Sequence, residues 1–340
     1  MTTPKKTAWK QIGKWLPGIL ISLAAIFAIT RVVNWQDFVT AARTTNPGFI
    51  ALYVFLSLFS YMVRGKAWQT ILGKPVTWVQ AFFGVCEGYF INDILPFKLG
   101  EFGRSIYVGQ LSGLGTFRAF SSVVIERAFD VAVAACLVLI TLPLVIGASW
   151  VKTIALVALL VVVAGMGLLF FVARNQGPVV NWLNKIAEKR TFLKDRVVPQ
   201  VEKLIQGFGM LTRPSQFVLS FAWIAATWLI WVSSYYLTIR QISAAAPFWW
   251  GIFACAIIVL GVALPSAPAG IGVFEASMVA ALALLGLESS SVLAYAIIVH
   301  FTQVIVAVAL GIWGLAREKQ SLSSLISRSE STQAASSTQE

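Results

Sequence analysis

The chain has 340 residues, 58% of them hydrophobic and 12% charged, with a net charge of +12 and a mean hydropathy of +0.80. A soluble domain carries about 25% charged residues, so the composition excludes an ordinary water-soluble fold and points to a polytopic membrane protein. The basic excess lies between apolar spans, which argues against nucleic acid as a partner; the single histidine, His300, excludes a His-rich metal site, and no cofactor is expected.

Residues 1–14 carry Lys5, Lys6, Lys10 and Lys14, and residues 15–30 are apolar. No convincing small-residue cleavage site follows, so this stretch reads as a retained anchor with a basic cytoplasmic N-terminus, not a signal peptide. Further apolar spans fall at about 48–63, 119–146, 151–173, 217–238 and 291–316. Each is near the ~20 residues that a tilted or end-trimmed membrane helix needs. Cys86, Cys136 and Cys255 all lie in apolar segments and read as small hydrophobes, with no disulfide expected.

Two segments break the pattern. Residues 92–104, N-D-I-L-P-F-K-L-G-E-F-G-R, follow an apolar run and yet carry Asp93, Lys98, Glu101 and Arg104. Pro96 interrupts a helix there, and Gly100 and Gly103 permit close backbone approach. Residues 264–275, L-P-S-A-P-A-G-I-G-V-F-E, repeat the grammar with Pro265, Pro268, Gly270, Gly272 and Glu275. The segments 77–110 and 247–286 are predicted to be helix–break–helix hairpins or pairs of short spans. Irregular backbone at membrane depth is tolerated where it is buried in protein or lines a cavity.

Pro96 and Pro265 are 169 residues apart, and the same offset lays the spans at 48–63 and 119–146 over those at 217–238 and 291–316. The predicted fold is therefore all-α, with about six spanning helices and two re-entrant or broken hairpins. It forms an inverted-topology repeat, with a first half at about 15–146 and a second at about 151–316. Of 26 lysines and arginines, all but Arg31, Arg43, Lys152, Arg240 and the intramembrane Arg127 fall on one side. Arg64 and Lys66 count among the cytoplasmic flanks of the second span. The positive-inside rule then puts both termini in the cytoplasm. Within residues 178–216, Val180, Leu183 and Ile186, then Val197, Val201, Leu204 and Phe208, recur at helical spacing among basic residues. They read as amphipathic helices on the cytoplasmic leaflet or as an ordinary helical hairpin. Residues 317–340 read as a disordered cytoplasmic tail.

Glu126, Arg127 and Asp130 sit inside the span at 119–146. Glu126 and Asp130 are one helical turn apart on one face. A charge near the bilayer midplane costs at least ~2.5 kcal/mol unless paired or wetted. Arg127 is in reach of Asp130 or of an acid on the neighbouring hairpin. One reading is a salt bridge that fastens helices together. The other is a polar cavity for an anionic head group or phosphate, surrounded by Lys98, Arg104 and Arg127 and braced by Glu101, Glu126 and Asp130. Asn92 and the glycines and prolines of both hairpins complete the candidate substrate site. Glu275 either joins this network or binds a proton. His300 and Gln303, about one turn apart, read as packing groups or as a proton-linked switch.

The motifs N-D-x-L-P-x-x-x-G-E-x-x-R, E-R-x-x-D and P-x-x-P-x-G-x-G-x-x-E, in that order, resemble the lysylphosphatidylglycerol synthase transmembrane-region family. This is the membrane half of the multiple peptide resistance factor, found also as stand-alone proteins. The resemblance covers about residues 13–317 and implies an integral membrane protein associated with lipid translocation. It does not imply synthase activity, which resides in a separate soluble domain not expected here. Related membrane regions also accompany glycosyltransferases of lipid-linked sugars, which leaves the substrate open. The expected function is thus a non-enzymatic, flippase-like protein of the bacterial plasma membrane, binding or moving an anionic lipid or polyprenyl-phosphate carrier. The alternatives are a membrane-embedded transferase with Glu101, Glu126 or Asp130 as base, and an accessory subunit of a lipid-modifying enzyme.

Overall fold

The computed structural model describes residues 34–95, 98–145, 149–188, 190–264 and 266–317, with scattered positions between 20 and 31. Pro96, Pro265, most of the expected anchor at 15–30 and the expected tail beyond Arg317 lie outside the described residues. Among the described residues there is no strand, and the chain is an all-α polytopic membrane protein.

Helix α1 (Trp35–Thr44) leads into α2 (Pro47–Leu72), where Asn46 caps the helix by accepting from Gly48 N and proline occupies the first turn. The hydropathy pattern placed the end of this span at residue 63. The helix runs on to Leu72 because Ala67, Trp68 and Ile71 continue its buried face. It stops at Gly73, whose φ of +86° suits glycine alone, with Pro75 close behind. Arg64 and Lys66 are therefore helix residues, and the reading of Arg64 as a cytoplasmic flank is corrected.

Helix α3 (Trp78–Ile94) opens on a reciprocal cap between Thr77 and Gln80. The chain breaks and returns as α4 (Leu99–Leu111), followed by α5 (Thr116–Val145) and α6 (Ser149–Arg174). Next come α7 (Gln176–Ala187), a π-helical turn (Leu193–Val197), α8 (Val198–Gly207) and a 3-10 turn (Phe208–Thr212). The chain continues through α9 (Pro214–Ile242), α10 (Phe248–Val262), a 3-10 turn (Pro268–Gly270), α11 (Val273–Ala283) and α12 (Ser289–Arg317). Helices α2, α5, α9 and α12 are each long and apolar enough to cross a bilayer. The span expected at 151–173 forms a bent pair with the next helix: Leu159–Arg174 and Gln176–Ala187 meet at 89°. The described residues thus hold four candidate spans, or five counting that pair, against the six expected.

Both expected hairpins are helix–break–helix units, and small residues let their arms close. A Cβ on Gly100 would overlap Gly88 O, and one on Gly88 would lie 2.9 Å from Arg104 Cδ. In the second hairpin a Cβ on Gly261 would overlap the Ser277 side chain. Helix α2 packs on α9, α3 on α12, and α5 on α10. Along the chain, α2, α3, α4 and α5 touch in succession, as do α9, α10, α11 and α12.

The polarity of the bundle is the reverse of a soluble fold. Phe55, Phe59, Leu160, Val161, Phe301 and Ile305 face outward, while Arg64, Arg104, Glu126, Asp130 and His300 are buried. So much outward apolar surface suits acyl chains, and the inward charges then need partners within the protein.

Candidate functional site

A cavity of about 460 Å³ lies among α2, α3, α9, α10 and α12, reached by the breaks of both hairpins. That volume is in the range of small-ligand sites. Its wall is amphipathic: Tyr53, Tyr61, Tyr89, Trp231 and Tyr235 supply ring faces, and Ser57, Ser60, Ser234 and Ser266 supply hydroxyls.

One side of the cavity rests on a charge cluster centred on Glu126. Arg64 donates to Glu126 and, with a second nitrogen, to Asp130 Oδ1 at 2.9 Å. Arg104 grips both Glu126 oxygens at 3.1 Å each in a bidentate pair. Arg127 donates to Glu126 Oε1 at 2.8 Å and lies 3.3 Å from Asp130 Oδ2 and 3.4 Å from Glu101 Oε1. Trp228 Nε1 donates to Asp130 Oδ1 at 3.1 Å. Trp68 stacks under the Arg104 guanidinium at 4.6 Å, and Trp231 lies 5.5 Å from that of Arg64. Four helices, α2, α4, α5 and α9, are tied together here.

The expected site residues separate into two groups. Lys98, Glu101, Arg127, Asp130, Asn92, Gly270, His300 and Gln303 line the cavity. Arg104 and Glu126 do not: they are 1% and 0% exposed and face each other behind the wall. The expectation that Arg104 surrounds the cavity is corrected, because Trp68 and Glu126 enclose its fork. Gly100 makes the close contact with Gly88, and its N–H donates to Asn92 Oδ1 at 2.8 Å, stitching α3 to α4 across the break. Pro268 lies in the 3-10 turn of the second hairpin, and Gly272, at φ +85°, sits at the head of α11.

Lys98 is the N-cap of α4 and holds φ +53°, a left-handed conformation that costs a lysine roughly 1–2 kcal/mol. Among the described residues no hydrogen bond or ion pair holds its side chain, although it lines the cavity. The same is true of Asp93. Gln303 lines the cavity beside His300, and Glu275 stands behind that histidine, outside the lining. Gly272 N donates to Glu275 Oε2 at 2.8 Å, His300 Nδ1 lies 2.6 Å from Glu275 Oε1, and Gln303 donates to Tyr53 and more weakly to Tyr235.

Four contributors escaped the sequence reading. Arg64 carried a signal, since apolar residues at helical spacing continue past it to Ile71 and the first stop is Gly73. Asp93 stands in the first motif, but nothing local separates a cavity carboxylate from a capping one. Trp228 and Trp231 gave no signal in a chain of 13 tryptophans.

A family model described as the lysylphosphatidylglycerol synthase TM region matches residues 15–311. A UPF0104 membrane protein of Methanothermobacter thermautotrophicus is 21% identical over 309 residues, 84% of this chain and 88% of the relative. A UPF0104 membrane protein of Methanocaldococcus jannaschii is 30% identical over 120 residues. That match spans 34% of this chain and about a third, 36%, of the relative's length.

Proposed function

The chain belongs to the lysylphosphatidylglycerol synthase transmembrane-region family, and from that premise we propose that it binds an anionic lipid head group in the cavity and carries it across the membrane without altering it. The observation that carries the reading is Lys98. Its ammonium lines the cavity with no ion pair among the described residues. The four cations Lys98, Arg64, Arg104 and Arg127 meet three carboxylates in the adjoining cluster, and the fourth carboxylate, Asp93, lines the cavity without an ion pair among the described residues, so Lys98 is the cation left to meet a phosphate. The ring faces and hydroxyls around it suit a glycerol or sugar beyond the phosphate, on an anionic phospholipid or a polyprenyl-phosphate carrier.

Non-enzymatic transport is favoured over group transfer by the occupation of the carboxylates. Both Glu126 oxygens accept from arginines behind the wall, Asp130 accepts from Arg64 and Trp228, and Glu101 lies 3.4 Å from Arg127, so each candidate base is already engaged by a cation or donor of the protein. We further infer an inverted repeat. The contact scheme maps onto itself when α2, α3, α4 and α5 exchange with α9, α10, α11 and α12: α2 meets its own counterpart, and the α3–α12 contact maps to α10–α5. With both termini in the cytoplasm, the 89° bend after Arg174 would lay α7 along the cytoplasmic leaflet of the plasma membrane. Its exposed Trp182 and Ile186 would lie beside Lys185, an arrangement suited to anionic lipid.

The test is lipid crossing in vesicles of phosphatidylcholine and phosphatidylglycerol, read by dithionite bleaching of a tail-labelled fluorescent lipid. Protein-dependent crossing of labelled phosphatidylglycerol or polyprenyl phosphate, lost in Lys98→Gln, is the expected result. Equal crossing of phosphatidylcholine, or full activity of Lys98→Gln, would overturn the anionic-lipid reading. A covalently changed lipid would establish the enzyme instead.

A further inference from the structure

Helix α12 brings to the cavity a histidine paired with a carboxylate, which head-group binding does not use. His300 lies between two acceptors. Its Nε2 is 2.9 Å from Ala269 O, and its Nδ1 is 2.6 Å from Glu275 Oε1. A carbonyl oxygen only accepts, so Nε2 carries a hydrogen. A neutral ring with that hydrogen presents a bare lone pair at Nδ1, and an ionised Glu275 presents another. The 2.6 Å contact therefore requires one more proton, on Nδ1 or on the carboxyl. With it, the pair is neutral and both contacts stand. Without it, the pair carries one negative charge, and the ring keeps a hydrogen for Glu275 or for Ala269, not for both.

Ala269 is the residue with most to lose. It sits in the 3-10 turn between α10 and α11 at φ +58°, a conformation that alanine rarely adopts, and it lines the cavity. Phe274 stacks on the imidazole at 4.3 Å and fixes its plane, so the ring cannot tilt to keep both partners. The second Glu275 oxygen accepts from Gly272 N at the head of α11. One imidazole thus latches the break of the second hairpin to α12.

We propose that the Glu275–His300 pair is a proton-binding site whose deprotonation releases the α10–α11 hairpin from α12, making passage through the cavity proton-coupled. This rests on the transport reading for its purpose, but not for its chemistry. The titratable or charged groups around the pair are Asp93 and, farther along, Glu87 from α3, Tyr53 and Tyr61 from α2, Tyr235 from α9 and Cys255 from α10. Helix α1 meets α12 at its Ser290 end and brings Asp37 and Arg43. Asp93 and His300 both line the cavity.

Because the chain has one histidine, histidine labelled with nitrogen-15 gives one imidazole in an NMR spectrum of the full protein in lipid nanodiscs. The expected result is a ring whose nitrogen signals change with pH across the range in which the protein stays folded, with an environment-sensitive fluorophore on Ser266→Cys responding at the same midpoint. Glu275→Gln supplies the internal control. Its amide oxygen can accept from Gly272 N and its NH2 can donate to Nδ1, so both latch contacts persist without the extra proton. The fluorophore should then lose its pH response while the protein stays folded. A ring spectrum constant over that range, a titration the fluorophore does not follow, or an unchanged response in Glu275→Gln would each overturn the proposal. Crossing of labelled phosphatidylglycerol is measured separately. If crossing persists with no His300 titration, coupling fails and transport stands; if His300 titrates and no lipid crosses, the transport reading fails.

Discussion

Arg64 and Lys98 are both basic residues beside the same cavity, yet they have opposite jobs. Arg64 is 1% exposed and bonds two buried carboxylates. Arg64→Ala should cost about 3–5 kcal/mol, because it strands those charges, and Asp130→Asn in the same chain should restore part of it. Arg127 is 33% exposed, and Glu126 would keep Arg64 and Arg104 after its loss. Arg127→Ala should therefore cost less, about 1–3 kcal/mol. Lys98→Gln should leave stability nearly unchanged. Thermal unfolding of the purified proteins in one detergent reads all three, and equal losses at Arg64 and Arg127 would contradict the geometry. A titration belongs to this scale too. Burial of Glu288 pushes its carboxyl up slightly, but hydrogen bonds from Ser290 and Ser291 overcome this and hold it at about 2. Its contribution as the cap of α12 is thus complete above the ordinary carboxylate range near ~4.3. It should fade as pH falls toward about 2, and Glu288→Gln should flatten that part of the acid-unfolding profile. Charges inside an apolar run were easy to see from sequence, which is why Glu126, Arg127 and Asp130 were legible. Which arginine serves which acid was not, because partners such as Arg64 and Asp130 stand 66 residues apart.

At the level of elements, the breaks depend on closeness as much as on proline. Gly100→Ala would drive a Cβ into Gly88 O and force α3 and α4 apart. A loss of about 1–3 kcal/mol, the usual range for overpacking, is expected, together with loss of the Asn92 stitch. Gly165 in α6 has nothing within 4 Å of the same hypothetical atom, so Gly165→Ala should be neutral or stabilise by about 0.5–1 kcal/mol. Reversal of that order in a proteolysis or thermal assay would show that the hairpin arms are not in contact. The glycines were visible in the sequence and so was the break. The facing partner was not, since Gly88 lies in an apolar helix where nothing distinguishes a contact glycine from a spacer.

For the whole molecule, the exchange of α2–α5 with α9–α12 makes a topological demand. Ser112, just past the first hairpin, and Ser289, just past the second, occupy equivalent places in the two halves. Single cysteines there, in a chain with Cys86, Cys136 and Cys255 replaced, are expected to label from opposite sides, Ser112 from the cytoplasm. Labelling of both from one side would overturn the proposed inverted repeat. The spacing of spans and breaks was legible because bilayer thickness imposes a length on each helix. The cross-half contacts were not, because nothing in the spacing says which helices end up adjacent.

The Arg64 clamp also bears on how the chain is made. Arg64 precedes Glu126 by 62 residues and Asp130 by 66. A ribosome adding about 5–20 residues per second leaves an interval of roughly 3–13 s between them. During that interval α2 carries an arginine with neither acid yet synthesised, which costs up to about 2.5–3.5 kcal/mol if it enters lipid alone. Helix α2 is also the least apolar of the four long helices. Nascent chains halted at Gly115 should therefore hold α2 incompletely in the bilayer, and chains halted beyond α5 should hold it firmly, as scored by protease protection of a tag. The same ion pairs that fix the finished bundle would then set the order of its assembly, with α2 waiting at the insertion machinery for α5.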